Sequence, residues 1–163
     1  MNSKTLFLVR HAKSDWTQDL EDFDRPLNER GHRDARQMAK YLLDHDYSID
    51  QFVSSPAKRA LTTCRYFAET FSRPQIKKVE DLYEPLLEDF YRTIERMDSD
   101  LSSIALFSHN PTISEFAHRL DETTPEFATC AVAVFQVFTE DWSLFSGAET
   151  KLLHFYLPKD LFY

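Results

Sequence analysis

Glycine is the scarcest resource of this 163-residue chain, with only Gly31 and Gly147 present. That excludes the glycine-rich loops whose backbone amides close around a phosphate, so any phosphate chemistry must use side chains. Cysteine is equally sparse. Cys64 and Cys130 match neither a CxxC nor a metal-ligand spacing, and two thiols cannot build a disulfide framework, so both are expected as reduced core residues. Surplus positive charge is missing as well: 19 Lys and Arg against 27 Asp and Glu leave a net charge of -8. A general nucleic-acid binder needs the opposite balance, and no nucleic-acid partner is expected. No apolar run reaches the roughly 18 residues of a membrane span, and "MNSKTLFLVRHAKSD" has too short an apolar stretch for a signal peptide. A cytoplasmic protein without a membrane partner is the expectation.

What is present suits an ordinary globular chain, at 42% hydrophobic and 28% charged residues, and 14 Phe supply core material. The length predicts a single domain over residues 1–163. Apolar runs suited to strands lie at Thr5 to Val9, Ile49 to Ser54, Ile104 to Ser108, Cys130 to Phe138 and Leu152 to Leu157, with a weaker one at Ile76 to Val79. Helical spacing of apolar residues appears in four sets, anchored by Met38 and Leu42, by Leu61, Cys64 and Phe67, by Phe90 and Ile94, and by Ile113 and Phe116. Strands alternating with helices predict a three-layer α/β/α sandwich with a mainly parallel sheet. No helical pattern separates the last two strands, so an antiparallel edge is expected around "EDWSLFSGAET".

Ligands of open α/β sheets bind beyond the carboxyl ends of the parallel strands. The first strand ends in Arg10-His11, and the strand at Ile104 to Ser108 runs into "SHNP" with His109. "FVSSP" leads through Pro56, read as a first helical residue, into Lys58 and Arg59. Cations in a helix's first turn oppose its dipole, a cost that a bound anion reverses. Two arginines and two histidines on one edge make a compact site for a phosphoryl group, because the planar arginine fork matches phosphate oxygens.

Four segments together resemble the histidine phosphatase superfamily, whose members include the phosphoglycerate mutases. "RHAKSDWT" resembles its Arg-His-Gly signature with Ala12 in the glycine position and Lys13 and Thr17 off the usual pattern; "DFDRPLNERGHRDA" is similar to its "RPLTxxG" helix entry. "SSPAKRALTT" resembles its second-arginine motif and "LFSHNP" its second-histidine motif. The order of elements and the absence of a cap insertion are similar to the small phosphohistidine phosphatases of the SixA type.

The resemblance implies that His11 is the nucleophile of a covalent phosphohistidine intermediate, with Arg10, Arg59 and His109 holding the phosphoryl oxygens. His11 is expected neutral, and His109 cationic once phosphate is bound. Glu84 in "DLYEP" resembles the mutases' acidic position and is a candidate proton donor, while Ser14, Thr17, Lys13 and Asn110 are candidate substrate-binding residues. No metal or organic cofactor is expected. The implied substrate is a phosphorylated protein carrying phosphohistidine. Two alternatives remain open: a small phosphorylated metabolite, cleaved by a phosphatase or moved by a mutase-like phosphotransferase, and a non-catalytic phosphate-binding or interaction module, suggested by Ala12. The acidic stretch Asp19 to Asp24 is expected as a solvated loop that gates the pocket against anionic ligands.

Overall fold

Strand β1 (Lys4–Arg10) places Leu6 and Leu8 on one face and Phe7 and Val9 on the other, all four buried. A strand apolar on both sides belongs inside a sheet covered on both faces, and in the computed structural model, which describes residues 2–163, that is its position. With β2 (Gln51–Ser54), β3 (Ile76–Lys78), β4 (Ser103–Ser108), β5 (Val132–Phe138) and β6 (Glu149–Tyr156) it forms a six-stranded sheet in the order β3-β2-β4-β1-β5-β6. The first four strands in the chain are mutually parallel, whereas β5 runs antiparallel to both β1 and β6.

Helices α1 (Glu29–Asp44), α2 (Lys58–Thr70) and the short α5 (Pro158–Phe162) cover the face that carries Phe7 and Val9. Met38 and Leu42 of α1 and Phe67 of α2 pack there against Phe52, Phe107 and Val134. Helices α3 (Leu87–Glu95) and α4 (Thr112–Leu120), together with a 3-10 turn at Trp142–Gly147, cover the opposite face. Phe90 and Phe116 stack there with ring centroids 4.8 Å apart. Each such fully buried side chain contributes about 1.5–3 kcal/mol relative to exposure. The fold is the expected three-layer α/β/α sandwich, and its antiparallel edge is the β5–β6 pair joined through "EDWSLFSGAET".

Connection direction positions the functional region. The chain leaves β1 through α1 toward β2 on one side, and leaves β4 through α4 toward β5 on the other. Adjacent parallel strands whose exits diverge leave a crevice at their carboxyl ends. Arg10 of β1 pairs with Ser108 of β4 in register, and the His11 N–H donates to the Ser108 carbonyl at 3.2 Å. One detail departs from the sequence reading: α2 begins at Lys58 with Ala57 as its cap, so Pro56 lies before the helix and not at its first position. Its φ preference shapes the entry turn, where the Ser55 hydroxyl accepts from the Ala57 N–H at 3.2 Å.

Candidate active site

The loop after β1 is fastened to two helices. The buried Ala12 N–H donates to Thr63 Oγ1 at 3.0 Å, and that hydroxyl donates to the Arg59 carbonyl at 2.8 Å. One threonine thereby ties the segment next to His11 to the turn that carries Arg59. Among the described residues, positive φ outside glycine occurs at Asp46, Ser72, Glu84 and Cys130, not at Ala12. The alanine therefore stands where a glycine's freedom is not needed, and its methyl is fully buried. At the next position the Lys13 carbonyl accepts from the Asn28 N–H at 3.0 Å and lies 2.0 Å from where a Cβ on Gly31 would fall. Asn28 also caps α1, its side chain accepting from the Gly31 N–H at 2.8 Å.

The structure brings Arg10, His11, Arg59 and His109 together. His11 Nδ1 lies 2.8 Å from the Ala12 carbonyl, which only accepts, so the proton sits on Nδ1 and Nε2 keeps its lone pair. The His11 and His109 rings stand 5.2 Å apart, and His109 Nε2 shares a 2.7 Å hydrogen bond with Ser55 Oγ. Arg10 Nη1 donates to the Phe127 carbonyl at 3.0 Å. Arg59 donates through Nη1 to the Asp22 carbonyl at 2.7 Å and through Nη2 to Asp22 Oδ2 at 3.1 Å.

Among the described residues, three buried side-chain nitrogens lack any hydrogen-bond partner: Arg10 Nε, Arg59 Nε and His109 Nδ1. All belong to this one set. A buried donor left unpaired costs about 1–3 kcal/mol, and more when charged, so three in one place mark a built receptor for oxygen acceptors. Burial, reinforced for His109 by His11 and for both by the neighbouring arginines, pushes both imidazoles down to about 3 and keeps them neutral, although the Ala12 carbonyl pulls His11, and the Asp22 charge pulls His109, partly back. Burial and then the Arg59 charge also lower Arg10, which stays protonated at neutral pH.

A cleft of about 470 Å³ opens beside Arg59 and His109, with Asp22, Tyr83, Glu84 and Asn110 in its walls. Asp22 is the residue that sequence reasoning undervalued. Far from being merely a solvated loop residue, it accepts from Arg59 and from Tyr83 Oη (2.7 Å) on Oδ2 and from Arg25 (2.6 Å) on Oδ1. Burial alone would raise its pKa, but hydrogen bonds from Tyr83 and Arg25 and the Arg59 charge hold the carboxyl well below the usual range. Burial and the Asp22 hydrogen bond push Tyr83 up to about 12. Its sequence signal was the acidic run beside "DRPL", which gives a charge but not its partners.

The other expected residues divide. Asn110 lines the cleft and donates from Nδ2 to the Phe127 carbonyl at 2.9 Å, sharing that acceptor with Arg10, while Ser114 fixes its Oδ1 at 2.6 Å. Glu84 stands exposed in the cleft wall. Ser14 is buried one step back and accepts from Arg25 Nε at 3.0 Å, so it braces the Asp22 clamp. Thr17 is not brought into the cleft; its hydroxyl turns onto Asp15 Oδ1 at 2.6 Å, within an exposed loop. Lys13 is exposed and enters the architecture through its carbonyl. His32 and His45 bond to Tyr66 and to the Tyr41 carbonyl, and among the described residues no group of three or more His, Cys, Asp or Glu is arranged to hold a metal ion. No helix among them is long and apolar enough to cross a membrane.

The family model for the histidine phosphatase superfamily (branch 1) matches residues 6–99. An uncharacterised chloroplastic protein of Arabidopsis thaliana is 28% identical over 152 residues, covering 86% of this chain and 69% of its own. An uncharacterised protein of Mycobacterium tuberculosis is 26% identical over 162 residues, covering 93% of this chain and all of its own. Among solved structures, the Agrobacterium tumefaciens protein named SixA superimposes with a TM-score of 0.80 at 26% identity, over 95% of this chain and 98% of its own. The protein histidine phosphatase SixA complexed with tungstate gives 0.82 at 23% identity, over 96% and 99%.

Proposed function

The chain belongs to branch 1 of the histidine phosphatase superfamily, and on that premise we propose that it is a SixA-type phosphohydrolase working through a phosphohistidine on His11. The observation that carries this reading is the set of three buried, unpaired donors, Arg10 Nε, Arg59 Nε and His109 Nδ1, around a neutral His11 whose Nε2 lone pair is free. Tungstate on the similar SixA fold supports it, being a tetrahedral oxyanion like phosphate.

In the proposed reaction the His11 Nε2 lone pair forms an N–P bond in line with the bond that breaks, whose electron pair leaves with the departing oxygen or nitrogen. Arg10, Arg59 and His109 donate to the equatorial oxygens, where charge collects in the transition state. When Ser55 donates to Nε2, neutral His109 carries its proton on Nδ1, toward the phosphoryl group. The anion's own charge then favours a cationic His109 in the complex. Water next attacks phosphorus, the His11 N–P bond breaks, and phosphate departs.

Protein-bound phosphohistidine is the proposed substrate class, and residues 1–163 are proposed to act as one phosphatase domain without metal or organic cofactor. The cytoplasm is the proposed compartment, in keeping with two buried free cysteines. A P–N bond breaks without a strong acid, whereas an alkyl phosphate leaves poorly unless protonated. Glu84, exposed in the cleft wall, is the one proposed donor for such esters. Turnover of a phosphohistidine peptide is compared with that of a phosphoserine peptide of the same sequence. The expected kcat/KM favours phosphohistidine by about a hundredfold, because an exposed Glu84 falls short of a positioned acid by at least the low end of what such an acid is worth; equal or reversed values overturn the substrate assignment.

A further inference from the structure

Asp22 lines the cleft beside Arg59 and His109 and is paired with Arg59. His11 is 6% exposed, its ring 5.2 Å from that of His109 in the cleft wall, and in-line displacement puts the leaving group on the side of phosphorus away from the nucleophile. The adjoining cleft has the carboxylates of Asp22 and Glu84 in its walls. The receptor is therefore bipolar. Its buried residues present guanidinium and imidazole donors for phosphoryl oxygens, while the cleft wall presents carboxylates.

We propose that the leaving group departs through this cleft and that Asp22 is a specificity-determining residue that sorts substrates by the charge of the group bearing the phosphoryl, admitting neutral or cationic carriers and disfavouring anionic ones. The inference rests on the reading of this cleft as a phosphoryl site. Three contacts fix the carboxylate: Arg59 Nη2 at 3.1 Å and Tyr83 Oη at 2.7 Å on Oδ2, and Arg25 Nη1 at 2.6 Å on Oδ1. Two oxygens offer about four acceptor directions, so one remains for a donor on the leaving group. The partners also keep Asp22 ionised across the working pH range. Because Arg59 is buried and its two Nη atoms are engaged by Asp22, its unpaired Nε is the edge left for phosphate, so Asp22 also orients that arginine.

A phosphoimidazole protonated on its second ring nitrogen is a carrier of the favoured kind. It leaves as neutral imidazole when the P–N bond breaks, taking the electron pair and keeping its ring proton, and a carboxylate facing that N–H stabilises the protonated form. A carrier bearing a second phosphate or a carboxylate meets repulsion at the same point. The Asp22 side chain is half exposed, so the effect is that of a partly screened pair, about fivefold in affinity.

Two small ligands with the same phosphoryl group and opposite tails isolate this charge: phosphoethanolamine, with an ammonium, and phosphoglycolate, with a carboxylate. Their dissociation constants are measured by calorimetry in a His11→Gln background, which does not turn them over, with and without Asp22→Asn. The parent is expected to bind phosphoethanolamine about fivefold more tightly, and Asp22→Asn is expected to bring the ratio near one. A looser Arg59 weakens both ligands alike and cancels in the ratio. As a check that needs no substitution at Asp22, the parent's ratio is expected to collapse toward one in high salt. A ratio unchanged by Asp22→Asn, or one in the parent insensitive to salt, overturns the assignment. Wild-type protein that lacks turnover while the ratio behaves as expected overturns the catalytic reading and leaves Asp22's role standing.

Discussion

His11 and His109 are buried neutral, both pushed to about 3, while an imidazole in the unfolded chain titrates near 6.5. Between those values the unfolded state binds more protons than the folded one. Stability therefore rises with pH through this window and is lost as pH falls from about 6.5 toward 3, by up to about 1.4 kcal/mol per pH unit for each group. Asp22 pulls the same way lower in the range, because its folded pKa also lies below its unfolded one. Urea unfolding at pH 7, 6 and 5 is expected to show this slope, and His109→Gln is expected to flatten it by as much as one group's share; an unchanged slope contradicts the neutral burial of His109. The four residues that the structure brings together at the carboxyl edge were legible in "VRHA", "PAKRA" and "SHNP". Their protonation was not, because it depends on burial and on arginines from other segments. Asp22 was legible only as charge: its partners Arg59 and Tyr83 lie 37 and 61 positions away in the chain.

The element that holds the segment beside His11 in place is a helix start. Asn28 caps α1, its N–H holds the Lys13 carbonyl, and Gly31 lets that carbonyl lie against the helix where any Cβ would collide at 2.0 Å. The clash is with backbone, so it is not relieved by rotating a side chain. Gly31→Ala is expected to cost about 1–3 kcal/mol in urea unfolding, as overpacking does, and to lower kcat, since Lys13 is two residues from His11. A variant with wild-type stability and turnover would show that the loop yields freely. Gly147, with nothing near its hypothetical Cβ, is the matched control at which Ala is tolerated. At this scale the apolar runs announced all six strands, including the weak Ile76–Lys78 edge, and the helical spacings announced α1 to α4. Pro56 was misread by two positions because proline suits the turn before a helix as well as its first residue. The short α5 gave no periodic signal of its own; Leu161 and Phe162 pack where the sheet and α1 leave apolar surface.

Across the molecule, the order β3-β2-β4-β1-β5-β6 makes a site from segments far apart in the chain. Alternating strands and helices told of layers and a mainly parallel sheet. They did not tell that β4 inserts between β2 and β1, and that insertion sets His109 beside His11 and opens the crevice. Strand order is decided by which faces pack together, a non-local property. The family resemblance supplied what periodicity could not. The central claim is that this crevice carries a phosphoryl group covalently on His11. Its most direct test is rapid mixing of the wild-type protein with phosphorus-32-labelled phosphohistidine peptide, quenching into denaturant under alkaline conditions that preserve phosphohistidine, and mapping the label by mass spectrometry. The account predicts label on His11 within the first turnover, and none in His11→Ala. Label on another residue, or turnover by His11→Ala at the wild-type rate, would contradict it.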